Sequence, residues 1–185
     1  MAAVVPALLA GLYVTSNVRA SLAQRSLRAQ WETTVAAGTI EPAELSARSF
    51  AAGAPVARLG IAAIGMDLIV VEGGAGTRRG PAHAIESVHP GLPGVAIVEA
   101  GRFGYGNMFM RLDRLVPGDV IVVRTLAGDR RFTVRSVETV PATAIDPQRD
   151  SITPTLLLVA PARSWGSEDR VVVRAEATAG SGGSR

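Results

Sequence analysis

The feature that most restricts the fold is a train of short β-like runs that begins at Val56 and is broken throughout by Gly and Pro. Apolar and β-branched residues gather near 56–63, 67–72, 94–100, 108–112, 119–126, 130–141, 154–160 and 170–177. Turn residues such as Pro117-Gly118-Asp119 and Gly128-Asp129 separate them. Eight short strands in one domain predict an all-β fold, and runs as apolar as Asp119-Val-Ile-Val-Val123 need their edges hidden. Closure into an antiparallel or mixed barrel hides them. The stretch Gly73 to Gly94 is too long and too rich in Gly and Pro for a hairpin. It is expected to cross the barrel surface with a short helical turn at most.

Before the barrel the pattern is different. Met1 to Val14 carries no charge, and Thr15, Ser16 and Asn17 extend it before Arg19. A membrane span needs roughly 17 to 25 mostly apolar residues, so residues 1–18 read as a truncated anchor. A basic cytosolic segment is expected upstream of it, which would orient the chain as a single-pass membrane protein with its domain outside the cell. From 19 to 37, Leu22, Leu27, Trp31 and Val35 recur at helical steps among polar residues and predict an amphipathic, membrane-proximal helix. Gly38 stops it. Residues 38–55 read as a linker, 56–177 as the barrel, and the Gly- and Ser-rich 178–185 as a flexible tail.

Composition removes several kinds of chemistry. All basic residues are Arg, and the net charge is only +3, too small and too dispersed to favour nucleic acid as a partner. The sequence has no Cys, which excludes a disulfide, a thiolate metal site and a cysteine nucleophile. With His83 and His89 its only histidines, a multi-histidine metal site is not expected, nor is a cofactor.

Chemistry in a small β-barrel is best placed where a strand end fixes a side chain and a loop shapes a pocket around it. The run from Pro154 to Pro161, its polar loop and Arg170-Val-Val-Val-Arg174 have that form. In the loop, Ser164 is a candidate replacement nucleophile if His83 or His89 reaches it, and Trp165 a candidate wall for a peptide groove. Asp67 with Glu72, and Asp146 with Asp150, read as solvated turn residues rather than acid–base pairs. Gly73-Gly-Ala-Gly76 lacks the Lys-Ser/Thr of a phosphate loop. Arg102, Arg111 and Arg114 read as a solvated rim, with attraction of an acidic ligand as the functional alternative.

The motifs resemble those of the sortases, in particular the class E, housekeeping-type enzymes of actinobacteria and other high-GC Gram-positive bacteria. Arg78-Arg-Gly-Pro-Ala-His83, Pro90-Gly-Leu-Pro-Gly94, Ala96-Ile-Val98, Ala100-Gly-Arg102, Tyr105-Gly106, Phe109 and Leu112-Asp-Arg-Leu-Val-Pro-Gly-Asp119 fall in one ungapped frame with the family's pattern. Pro154-Thr-Leu and Arg170-Val-Val-Val continue it. The resemblance implies an eight-stranded sortase-type barrel tethered outside the membrane. It also implies a cysteine transpeptidase that cleaves a C-terminal sorting motif and passes the acyl group to a cell-envelope amine. That activity needs a thiolate at the end of the seventh strand, a histidine to protonate the leaving amine and an arginine on the eighth strand to hold the oxyanion.

Carried across residue by residue, those roles fall on Pro161 for the cysteine, Gly101 for the histidine and Arg170 for the arginine. Only Arg170 is retained. Pro161 has no nucleophilic atom and no backbone N–H, and Gly101 carries no proton donor. His83 matches a family histidine of the Gly-Pro-x-His turn, not the catalytic one. The resemblance therefore implies a pseudoenzyme that binds a sorting-signal-like peptide, or a partner protein such as an intact sortase, through Arg170, Arg102, Tyr105, Trp165 and Glu99. Glu99 shares a strand face with Gly101 and is expected to fill the vacated site and pair with Arg170. The alternative is an active transpeptidase or hydrolase with a non-cysteine nucleophile such as Ser164. A scaffold role is a third reading.

Overall fold

Alternation decides which face of each strand meets the core. Along one strand Val120 and Arg124 face outward while Ile121 and Val123 are buried, the period of two that a half-buried strand requires. A computed structural model of the protein describes residues 4–73, 78–103, 106–146, 151–163 and 168–178. Helices α1 (Val4–Ala36) and α2 (Pro42–Ala47) precede eight strands. These are β1 (Pro55–Ile61), β2 (Met66–Glu72), β3 (Ala82–His83), β4 (Val95–Glu99), β5 (Val120–Thr125), β6 (Gly128–Pro141), β7 (Thr155–Pro161) and β8 (Asp169–Ala177). They close into a barrel in the order β1-β2-β3-β4-β7-β8-β6-β5. β3 runs parallel to β2 and β4 parallel to β7, and the remaining neighbours are antiparallel. The barrel is thus mixed, with Phe109, Phe132, Leu59, Ile61, Leu156 and Leu158 among its core side chains.

The eight strands are not all where the sequence places them. Residues 108–112 form a turn that leads into a 3-10 turn at Leu112–Arg114. Gly106 and Asn107 carry positive φ of 89° and 48°, which reverses the chain and ends any extended run. Phe109 and Leu112 are nonetheless fully buried, so their apolar signal reports a plug in the core rather than a strand. The missing strand lies inside the crossover. β3 has two residues, too few to leave a pattern, yet it bridges β2 and β4.

Helix α1 is continuous across the boundary drawn at residue 18. Its barrel-facing stripe is Ala20, Gln24, Leu27 and Trp31, while Leu22 and Val35, expected on that face, are exposed. Leu27 and Trp31 pack with Ile69, Val71, Ala82 and Leu126. Gln24 could not have been read from hydropathy: its Oε1 accepts from the Ile69 N–H at 2.8 Å and its Nε2 donates to the Ile69 and Arg79 carbonyls at 3.1 and 3.0 Å. This clamp needs Gly80, because a Cβ there would lie 2.6 Å from the Ile69 oxygen. Ion pairs Arg28–Asp67, Arg58–Asp67 and Arg58–Glu32 flank the contact. No helix among the described residues is long and apolar enough to cross a membrane.

Candidate functional site

The register brings the sequence-predicted positions together. Pro161 ends β7 directly opposite Arg170, and Val159 lies opposite Val172. Glu99 pairs with Val159 across the parallel β4–β7 ladder. Opposed residues, and residues two apart on a strand, share a face. Glu99, Pro161 and Arg170 therefore stand together on the outward face that buries Ile97, Val159 and Val172. Gly101 follows two residues after Glu99. The Ala100 N–H before it donates to the Val159 carbonyl at 3.1 Å, and its own carbonyl accepts from the Phe109 N–H at 3.2 Å. A side chain at Gly101 would meet nothing nearer than 3.8 Å, so packing does not dictate glycine there.

Glu99 is half-buried, and its carboxyl sits above the ordinary carboxylate range, chiefly because burial disfavours its charge and secondarily because Glu86 repels it. Arg170 opposes this from across the face without offsetting it. The Glu99 carboxylate is attracted to Arg170 across this face.

Arg102 is placed differently from the solvated rim read for it. The side chain is buried, with Nη1 donating to the Ala162 carbonyl at 3.1 Å and Nη2 to the Met110 carbonyl at 3.5 Å, and it forms an ion pair with Asp113. Its Nε has no hydrogen-bond partner among the described residues. Arg102 thus clasps the segment after β4 to the segment after β7. Arg111 and Arg114 remain exposed as expected, with Arg111 reaching the Ile64 carbonyl at 3.4 Å. Asp67 and Asp146 are likewise exposed. Tyr105, Ser164, Trp165, Asp150 and residues 74–76 of the glycine run lie outside the described residues.

A second constellation escaped the sequence. Glu72, read as a solvated turn residue, is 6% exposed, and β2–β3 pairing sets it opposite His83, which is 1% exposed. His83 Nδ1 lies 3.2 Å from both Glu72 oxygens, and Nε2 lies 3.0 Å from the Val88 carbonyl and 3.2 Å from Ser87 Oγ. The His89 ring stacks on His83 at 4.8 Å and meets Phe50 edge-on at 5.1 Å. Burial, and then the neighbouring His83, push the His89 pKa down. These residues line a cavity of about 420 Å³ together with Ser46, Arg48, Ser49 and Phe50. Ser87, His83 and Glu72 have the connectivity of a hydrolytic triad. Ser87 Oγ, however, donates to the Ala84 carbonyl at 2.8 Å and accepts the Ile97 N–H at 3.0 Å, which makes it a turn-fixing hydroxyl. No sequence signal announces the cluster, because two histidines six residues apart, one on a two-residue strand and one in the loop after it, share no motif with a glutamate at the end of β2.

The closed mixed barrel, with an arginine-bearing last strand beside the end of the seventh, is a sortase architecture. The sequence model of the sortase domain matches residues 59–178. The chain belongs to the sortase family. Among solved structures, a Clostridium perfringens sortase D5 transpeptidase superposes with a TM-score of 0.70 at 18% identity, covering 84% of this chain and 98% of the other. Sortase C-1 from Actinomyces oris superposes at 0.60 with 22% identity, covering 67% and 74%. Clostridium perfringens sortase C with the C-terminal cell wall sorting motif superposes at 0.62 with 21% identity, covering 69% and 72%. None of the curated proteins matches the chain.

Proposed function

We propose that this protein is a catalytically dead sortase, close to the class E, actinobacterial housekeeping type, that binds a sorting-signal-like peptide at the cell surface without transferring it. One observation carries the proposal: in a chain without cysteine, proline ends the seventh strand directly across from the retained arginine. Loss of a nucleophile alone lowers turnover on the order of a millionfold in a comparable hydrolytic site. Here Gly101 removes the acid as well. Binding does not need either group. The outward face between β4, β7 and β8 keeps Arg170 and a half-buried Glu99 at the head of an apolar strip. The solved sortase C carrying a sorting motif makes such a peptide the first ligand to try.

The surface location rests on the uncharged N-terminal stretch and on α1, whose exposed Val14, Val18 and Leu22 recur at four-residue spacing along its outer side. Residues 1–18 serve as part of a membrane anchor and residues 19–37 as the membrane-proximal helix. The test is a titration of a fluorescent LPxTG-type peptide followed by anisotropy. Saturable binding that a scrambled peptide lacks and that Arg170→Ala weakens at least tenfold is the expected result. Equal binding of scrambled and sorting-type peptides would leave the scaffold reading in its place.

A further inference from the structure

We propose that Glu72, His83 and His89 form a binding site for a divalent transition metal, Zn²⁺ by donor type, with its fourth position open to the cavity. One ligand atom from each residue lies within 4.8 Å of the others. The proposal is independent of the peptide-binding reading, since the cluster occupies the opposite side of the β3–β4 ladder from Glu99: His83 is paired with core-facing Val98, and Ala82 with Glu99.

The tautomer of His83 follows from its partners. The Val88 carbonyl can only accept, so Nε2 carries a proton. Ser87 does not change this, because its own proton is directed to the Ala84 carbonyl. Nδ1 therefore presents a lone pair to the two Glu72 oxygens at 3.2 Å. Two lone-pair-bearing groups at that distance in a buried site repel unless a cation lies between them. A proton is one such cation and a metal ion is another. Two ligands about 2.05 Å from zinc at a tetrahedral angle stand about 3.3 Å apart, so the His83–Glu72 separation already suits the metal.

The outer contacts also have the form that metal sites take. A ligating histidine donates its other N–H to a carbonyl or carboxylate, which fixes the ring and its lone pair. His83 donates to the Val88 carbonyl, and the His89 ring is braced by its stack on His83 and its edge contact with Phe50. His89 is the element that must move. Its ring is tilted only 24° from His83 in the stack, so its lone pair must turn toward the metal and close by up to about 1.5 Å. The half-buried position beside the cavity leaves room for that turn. Two imidazoles and one carboxylate form the donor set that zinc accepts with an exchangeable fourth ligand.

The experiment uses the full chain, stripped with chelator, and Zn²⁺ alone as the titrant in calorimetry, with Co²⁺ absorption as a report on geometry. One equivalent of zinc is expected. A tetrahedral cobalt spectrum should accompany it. His89→Ala should lower the affinity by about a hundredfold or more while preserving the fold, because the side chain is at the cavity wall. Should that variant be unstable, Glu72→Gln, which keeps size and a hydrogen bond to His83, serves instead. Absence of stoichiometric uptake, or uptake unchanged in both variants, overturns the site and leaves a proton as the bridging cation.

Discussion

Arg102→Ala separates a clasp from a ligand-binding rim. In the structure the guanidinium donates to the Ala162 carbonyl at 3.1 Å and pairs with Asp113, and the 3.5 Å approach to the Met110 carbonyl adds little. A hydrogen bond from a charged donor to a buried carbonyl contributes about 1.5–3 kcal/mol. The ion pair adds less than about 1 kcal/mol, because the Asp113 side chain is half-exposed and water screens it. Removing the unpartnered Nε offsets part of the loss. The net cost is about 2–3 kcal/mol, which for a chain of this size lowers Tm by about 5–10 °C. Urea denaturation of Arg102→Ala beside Arg102→Met, which retains the stem, measures it. Because the clasp joins the segments that follow β4 and β7, peptide affinity should fall only in proportion to the disorder introduced. A variant as stable as the parent that has lost peptide binding would refute the clasp and restore Arg102 to the ligand.

Two glycines predict opposite outcomes in the same assay. Gly80→Ala forces its Cβ to 2.6 Å from the Ile69 oxygen and should cost at least about 2 kcal/mol, whereas Gly101→Ala, with ordinary clearance and no positive φ, should be neutral or gain about 0.5 kcal/mol. Trp31→Ala, at a position 2% exposed, should cost about 3–5 kcal/mol and release α1, seen as faster proteolysis between α1 and β1. Arg58, hydrogen-bonded to Asp67, holds that carboxyl below its ordinary value of 3.8. The resulting stability is complete above that value and disappears as pH falls through the lowered one; the pair is partly exposed, so it amounts to about 1 kcal/mol or less. Asp67→Asn should be less stable than the parent at pH 7 and equal to it near pH 2, by urea midpoint at each pH.

The barrel could be read from the sequence because most of its strands are long enough to alternate, and because β7, covered on both faces, is a nearly continuous apolar run. β3 could not, being two residues that pair only after the crossover has folded. The run at 108–112 misled for the opposite reason, since Phe109 and Leu112 are buried by a turn rather than a strand. On α1, apolar residues marked a helix but not its docking face, for the deciding residue is Gln24 and its contacts lie on a strand 45 residues away. The juxtaposition of Pro161 and Arg170 was legible as counted spacing. Burial of Arg102 and the meeting of Glu72 with both histidines were not, since each depends on which strands neighbour one another.

The central claim is that this barrel no longer transfers acyl groups. Its most direct test is an incubation of the purified protein with an LPxTG-type peptide and an amine acceptor, beside an intact sortase, with products followed by mass spectrometry. Neither ligated nor hydrolysed peptide above the enzyme-free background is the outcome that Pro161 and Gly101 predict. Cleavage or ligation at a rate approaching the intact enzyme, retained after repurification and abolished by Arg170→Ala, would contradict it.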